Sequence, residues 1–220
     1  MSPAPEAIHQ RGRAAILAGQ ERLDTPPRPG DPRWGLSVIA RPDPAGERLL
    51  AALTGEVMAH AGSDQWPTGR AGSSHLTVAY AEPTYRHVGA DDPGVRTHGD
   101  LLQQVTRGLP PLRFRLTGVA LAEGGVLAVA RPVDDTATLL RGALLDRLPH
   151  GAEEAAYRGD TWWSTLVHFA APVADRAGLV AWADARVATG LGELTADRVE
   201  LVHYVHDGRQ RNPAVRPGNG

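Results

Sequence analysis

The chain has 220 residues, of which 42% are hydrophobic, and its 23 basic and 25 acidic residues give a formal net charge of −2. This length and composition suit one folded domain or two small lobes, and the balanced charge argues against tight nonspecific binding to nucleic acid. Cysteine is absent and every basic residue is arginine, which excludes disulfides, thiolate metal sites and Schiff-base chemistry on lysine.

The first half of the chain is predicted to alternate helices and strands. Apolar residues at helical spacing predict a helix over residues 5–22, and four prolines in "DTPPRPGDPR" end it and form an extended lead-in. A strand over 33–42, a helix over 43–62 and a second strand over 74–83 follow.

No apolar run approaches the length of a bilayer-spanning helix. We therefore expect no membrane attachment and a cytoplasmic location.

The second half repeats this mixture of elements. The polar stretch "TYRHVGADDPGVRTHGD" is either a lid or a surface excursion. The patterns after it predict a helix over 98–107, a hairpin over 112–132, a helix over 135–148, a strand over 161–172, a helix over 179–190 and a last strand over 196–207. "GLGELT" before that strand is read as a loop.

The order of elements predicts an α+β protein with two sheet-containing lobes. We expect an N-terminal helix and proline-rich lead-in over residues 1–32, a single two-lobed domain over 33–207, and a flexible tail over 208–220. The composition gives no signal for the oligomeric state.

Two of the predicted strands resemble each other. "SHLTVAY" begins at residue 74 and "WWSTLVH" at residue 162, and Thr77 and Thr165 occupy matching places 88 residues apart (165 − 77). The same offset aligns Trp163 with His75 in the sequence. Residues i and i+2 of a strand share a face, so His75 and Thr77 are expected to point into one cleft.

The succession of elements and the His-x-Thr strand resemble the two-histidine (2H) phosphoesterase superfamily over roughly residues 33–207. The superfamily includes RNA 2′,3′-cyclic phosphodiesterases and proteins named 2′-5′ RNA ligases. The resemblance implies two antiparallel sheets around a central cleft with helices outside, and one H-x-[ST]-φ strand from each lobe. His75-Leu76-Thr77-Val78 matches that motif fully, whereas Trp163-Ser164-Thr165-Leu166 lacks the histidine.

The resemblance implies a metal-independent reaction on a nucleotide-like or other small phosphodiester, without a cofactor. His75 would act as general acid or base, and the hydroxyls of Thr77 and Thr165 would bind the phosphate. General acid–base assistance contributes about 10²–10⁴-fold to the rate for each group. The loss of one histidine would therefore weaken the enzyme severely unless another group replaces it. The alternative is a 2H scaffold repurposed as a tailoring or cyclising enzyme on a non-phosphate substrate, or as a ligand-binding protein without catalysis.

His168 is the candidate replacement for the missing histidine. It follows Trp163 by five residues, so on a regular strand it would face away from the cleft, and a β-bulge would be needed to bring it round. The other histidines give no metal site, because His203 and His206 point to opposite faces of one strand.

Six further residues are candidates for substrate binding. Trp163 could stack on a planar ring or belong to the core, and the arginines of "RFRLTG" could hold a phosphate or lie on a solvated sheet face. The tyrosines flank the complete motif, and one histidine of the last strand could face the cleft. The candidates are Trp163, Tyr80, Tyr85, Arg113, Arg115 and His203.

Overall fold

The computed structural model describes residues 4–89, 91–151, 161–206 and 211–215. Five helices and eight strands are named within these ranges. The helices are α1 (Pro5–Ala18), α2 (Pro44–Ala61), α3 (Pro93–Thr106), α4 (Thr136–Leu145) and α5 (Arg176–Asp184). The strands are β1 (Ser37–Pro42), β2 (Trp66–Pro67), β3 (Leu76–Tyr80), β4 (Leu112–Ala122), β5 (Gly125–Pro132), β6 (Trp162–His168), β7 (Gly192–His206) and β8 (Arg211–Val215). The protein is therefore α+β, as its sequence predicts.

All the named strands form one antiparallel sheet. Its order is β2, β6, β5, β4, β7, β1, β3, and β8 pairs with β7. The two separate sheets expected from the sequence are not found among the described residues, because β7 joins the halves. Residues 192–196 of β7 pair with β4, and residues 196–202 pair with β1.

The sheet curves strongly, because β3 and β6 contact each other although they lie near opposite ends of the strand order. Among the described helices, α2 precedes β3 and contacts β6, and α4 precedes β6 and contacts β3. Most of the buried apolar side chains form one cluster, which includes the fully buried Leu50, Leu76 and Leu166. A second, smaller cluster of Ile39, Val202 and Tyr204 is covered by Trp34.

Several element boundaries differ from those expected. The first helix ends at Ala18 rather than 22, because Gly19 takes a left-handed conformation (φ 67°) and its N–H caps the preceding turn. The third helix begins earlier, at Pro93, because Asp92 accepts hydrogen bonds from the N–H groups of Gly94 and Val95.

The last strand also starts earlier than expected. Gly192 and Glu193 pair with β4, so most of "GLGELT" is strand and not loop. Residues 211–215 of the expected flexible tail form β8, while residues 207–210 and 216–220 lie outside the described ranges. Within those ranges we find no helix that is both long enough and apolar enough to traverse a bilayer.

Candidate functional site

The two related strands contain β-bulges at equivalent positions. In β3, Thr77 pairs with Ile39 and Ala79 pairs with Val38, so Val78 is an extra residue. In β6, Thr165 pairs with Leu127 and Val167 with Val126, which makes Leu166 the extra residue. Leu166 follows Val78 by the same 88 positions (166 − 78) that separate the two threonines. The structural repeat therefore includes the irregularity of each strand.

The bulges set which side chains leave the core. Around β3 the partly exposed residues are His75, Thr77 and Tyr80, and in β6 they are Trp163, Thr165 and His168. The residues between them are buried, including both members of each bulge pair. The β-bulge that His168 needs in order to share a face with Trp163 and Thr165 is therefore present, because the extra residue Leu166 reverses the alternation of the strand after it.

Buried polar groups hold both bulges in place. The N–H groups of Thr68 and Gly69 donate to the carbonyl of Leu166 at 2.9 and 3.0 Å. The guanidinium of Arg141 donates to the carbonyl of Val78 at 3.1 Å and lies over the ring of Trp162. Because these donors saturate carbonyls that the ladder leaves unpaired, each bulge is a stable feature of the fold.

His75 is fixed in one tautomer by its neighbours. Its Nδ1 lies 2.8 Å from the carbonyl oxygen of Ser73, which can only accept, so Nδ1 donates. Nε2 then carries the lone pair of the neutral ring and lies 3.4 Å from the hydroxyl of Tyr204. An imidazole with Nε2 unprotonated can accept a proton from a nucleophile.

His168 is held differently, by a carboxylate. Its Nδ1 lies 3.0 Å from Oδ2 of Asp24, whose other oxygen accepts a hydrogen bond from Arg33 at 2.7 Å. Burial alone would raise the pKa of Asp24, but the hydrogen bond and charge of His168, together with Arg33, outweigh it and lower that pKa to about 2. Nδ1 of His168 therefore donates to the anionic carboxylate of Asp24, which leaves Nε2 of the ring away from this contact.

An aromatic pair connects the two histidines. The ring of Trp34 packs edge-on against His168 at a centroid distance of 4.8 Å and against Tyr204 at 5.4 Å. Tyr204 in turn lies 5.9 Å from the ring of His75. These four rings form one cluster, which we call the ring cluster.

Trp34 has an unusual backbone. Its φ of 72° is the only positive value among the non-glycine residues described, and a bulky side chain in this region costs about 1–2 kcal/mol. Arg33 stacks on its indole at 4.6 Å. Backbone outliers of this kind concentrate at functional sites.

Sequence reasoning missed Asp24, Arg33, Trp34 and Tyr204. Asp24 belongs to the proline-rich lead-in, which the sequence pattern places outside the domain. The backbone N–H of Asp24 donates to the carbonyl of Phe169 at 2.7 Å, so the lead-in is fastened beside the end of β6. The signal available in the sequence is an aspartate followed nine residues later by an arginine and a tryptophan, which by itself indicates nothing.

Tyr85 and His203 line a cavity of about 340 Å³ that also reaches Tyr204. The cavity lies between the loop after β3, the prolines of the lead-in and the end of β7. These two candidates therefore adjoin the ring cluster through a shared lining residue.

Arg113 and Arg115 do not join the ring cluster. Their side chains alternate with the buried Leu112, Phe114 and Leu116, as predicted, but both form ion pairs with Glu193, at 3.7 and 3.1 Å. Arg115 lines a second cavity, of about 640 Å³, whose walls share no residue with the ring cluster. Within the described ranges, no group of three or more His, Asp or Glu side chains is placed to hold a metal ion.

Comparison with protein-family models and with curated proteins gives no match. Comparison with solved structures gives the crystal structure of TT0787 of Thermus thermophilus, with a TM-score of 0.56 and 15% sequence identity, over 84% of this chain and 99% of that one. At this identity the likeness concerns the fold alone. The chain is therefore a structural relative of TT0787.

Proposed function

We propose that this protein is a metal-independent phosphodiesterase-like enzyme of the 2H type, whose second histidine has moved along its strand. The observation that carries the proposal is the bulge in β6, since it brings the partly exposed His168 to the same face as Thr165, as His75 shares a face with Thr77 in the related strand. In this proposal β1, β3 and part of β7 form one lobe, and β4, β5 and β6 form the other.

The two histidines have surroundings that suit opposite roles. His75 is held by a neutral carbonyl and presents Nε2 as an acceptor, so it serves as the general base. His168 donates through Nδ1 to the anionic carboxylate of Asp24, so in this proposal it serves as the general acid through Nε2. Two titratable side chains with such different hydrogen-bond partners are typical of a general base and a general acid that share one site.

Hydrolysis of a cyclic phosphodiester begins when Nε2 of His75 takes a proton from water as the water oxygen bonds to phosphorus. The bond from phosphorus to one ester oxygen breaks, and Nε2 of His168 gives that oxygen its proton. The hydroxyls of Thr77 and Thr165 donate to the non-bridging phosphoryl oxygens. A phosphate monoester is released, and the histidines exchange protons with solvent before the next turnover.

The test is hydrolysis of a panel of 2′,3′-cyclic nucleotides in EDTA, followed by phosphorus NMR. We expect turnover, and we expect His75→Gln and His168→Gln each to lower kcat by about 10²–10⁴-fold. His60→Gln is the matched control, because His60 of α2 pairs with Asp175 and is not part of the ring cluster. Absence of turnover across the panel, or full activity in His168→Gln, would refute the proposal.

A second candidate function has its own support. Trp34 and Tyr204 are two of the four rings of the ring cluster, and Trp163 occupies the place in β6 that corresponds to His75. Such surfaces bind planar rings. If the protein is a ligand-binding protein or a tailoring enzyme on a non-phosphate substrate, calorimetry should detect binding of planar compounds. Every phosphodiester of the panel should then remain intact.

A further inference from the structure

The cavity of about 640 Å³ lined by Arg115 is unconnected to the proposed reaction. It lies between the start of α1, strands β4 and β5, and the segment after α5. Its volume is within the range of roughly 300–1,000 Å³ that small-molecule sites occupy. We call it the arginine cavity.

Two guanidinium groups share one wall of the arginine cavity. Arg115 of β4 and Arg131 of β5 are direct cross-strand partners, so their side chains leave the same face of the sheet next to each other. Like charges in this position repel and destabilise the pairing. Glu193 compensates Arg115 at 3.1 Å. The side chain of Arg131 has neither a hydrogen bond nor an ion pair with any other residue that the structure describes.

The remaining walls are mostly apolar. Four valine side chains contribute to them: Val119, Val129, Val133 and Val187. The hydroxyl-bearing Thr117 also lines the cavity. Its single carboxylate, that of Glu6, accepts a hydrogen bond from the side-chain amide of Gln10 at 2.9 Å. The cavity thus combines an uncompensated cation with an aliphatic surface.

We propose that the arginine cavity binds a small organic anion with a carboxylate or phosphate monoester head and a short aliphatic body. The head bonds to Arg131 and Arg115, whose planar guanidinium groups match the two oxygens of such a head. It also relieves the repulsion between the two arginines. The body lies against the valines and gains free energy from burial of its apolar surface.

Calorimetric titration with four probes tests the site: hexanoate, hexyl phosphate, inorganic phosphate and hexyltrimethylammonium. We expect at least one hexyl anion to bind, and to bind more tightly than inorganic phosphate and the hexyl cation. The better of the two hexyl anions identifies the preferred head. Failure of both to bind, or equal binding of the cation, would overturn the proposal.

Three variants locate the bound anion. Arg131→Gln should weaken binding at least about tenfold, and Arg131→Lys should restore part of the loss. Arg113→Gln is the matched control, because Arg113 lies on the same strand and face but does not line the cavity. His75→Gln should leave binding of the anion unchanged, whether or not the protein hydrolyses phosphodiesters. Unchanged binding in Arg131→Gln, or weaker binding in His75→Gln, would mean that the anion binds elsewhere.

Discussion

Nδ1 of His168 lies 3.0 Å from Oδ2 of Asp24, and the two side chains expose only 13% and 4% of their surface. Because the pair is shielded from water, the hydrogen bond to the carboxylate fixes the orientation of the imidazole. A residue of the N-terminal lead-in therefore acts on the candidate acid of β6.

Asp24→Asn should lower kcat on the proposed substrate at least about tenfold with little change in KM, since the amide keeps the shape and loses the charge. Asp184→Asn is the matched control, because Asp184 binds His9 at 2.8 Å in another aspartate–histidine pair that is separate from the ring cluster. Steady-state kinetics of both variants check the prediction, and equal losses in the two would contradict it.

Asp24 should also make the free energy of unfolding depend on pH in the acidic range. The pKa of Asp24 falls from 3.8 to about 2 on folding. Its contribution to the free energy of unfolding is therefore fully present above pH 4 and is lost as the pH falls towards 2. The shift corresponds to about 2 kcal/mol. Urea unfolding at several pH values between 5 and 2 should show this decrease in the wild type beyond that in Asp24→Asn. Parallel pH profiles for the two proteins would argue against the pairing.

The positive φ of Trp34 predicts an order of stability between two variants. Trp34→Gly and Trp34→Ala both lose the indole, but alanine retains the steric cost of the left-handed conformation and glycine does not. We expect the alanine variant to be less stable by about 1 kcal/mol. Chemical unfolding measures the difference. A more stable alanine variant would indicate that this backbone is relaxed.

Gly69 should tolerate no side chain. A Cβ atom there would lie 2.2 Å from Oγ1 of Thr54 and 3.2 Å from Cα of Leu166, at the bulge that orients His168. Gly69→Ala should reduce the free energy of unfolding by about 1–3 kcal/mol and lower activity as well.

Gly55→Ala supplies the comparison for Gly69. Gly55 lies inside α2, and a methyl group at this position would meet no atom within 4 Å outside the backbone of its own helix turn. Alanine there should therefore raise the free energy of unfolding by about 0.5–1 kcal/mol. Thermal melts of the two variants should shift in opposite directions, and a stabilised Gly69→Ala would contradict the packing seen around the bulge.

Much of the secondary structure could be read from local patterns. The alternation of "LRFRLTG" predicts a strand with Arg113 and Arg115 outward, and the structure agrees. The hairpin and the strands bearing Thr77 and Thr165 are likewise where the patterns predict them. Boundaries set by caps, such as Gly19 and Asp92, were less visible, because a cap depends on one side chain and not on a period.

From its residues alone the chain is recognisable as α+β, with two related strands 88 residues apart, one with histidine and one with tryptophan before the threonine. The three-dimensional fold was needed to show that His168 shares a face with Thr165, and that Asp24 and Trp34 lie beside it. This is because a bulge is a mismatch between two strands. Its position depends on the pairing of Thr165 with Leu127 and on the donors Thr68 and Gly69, and a pattern of period two along β6 contains neither.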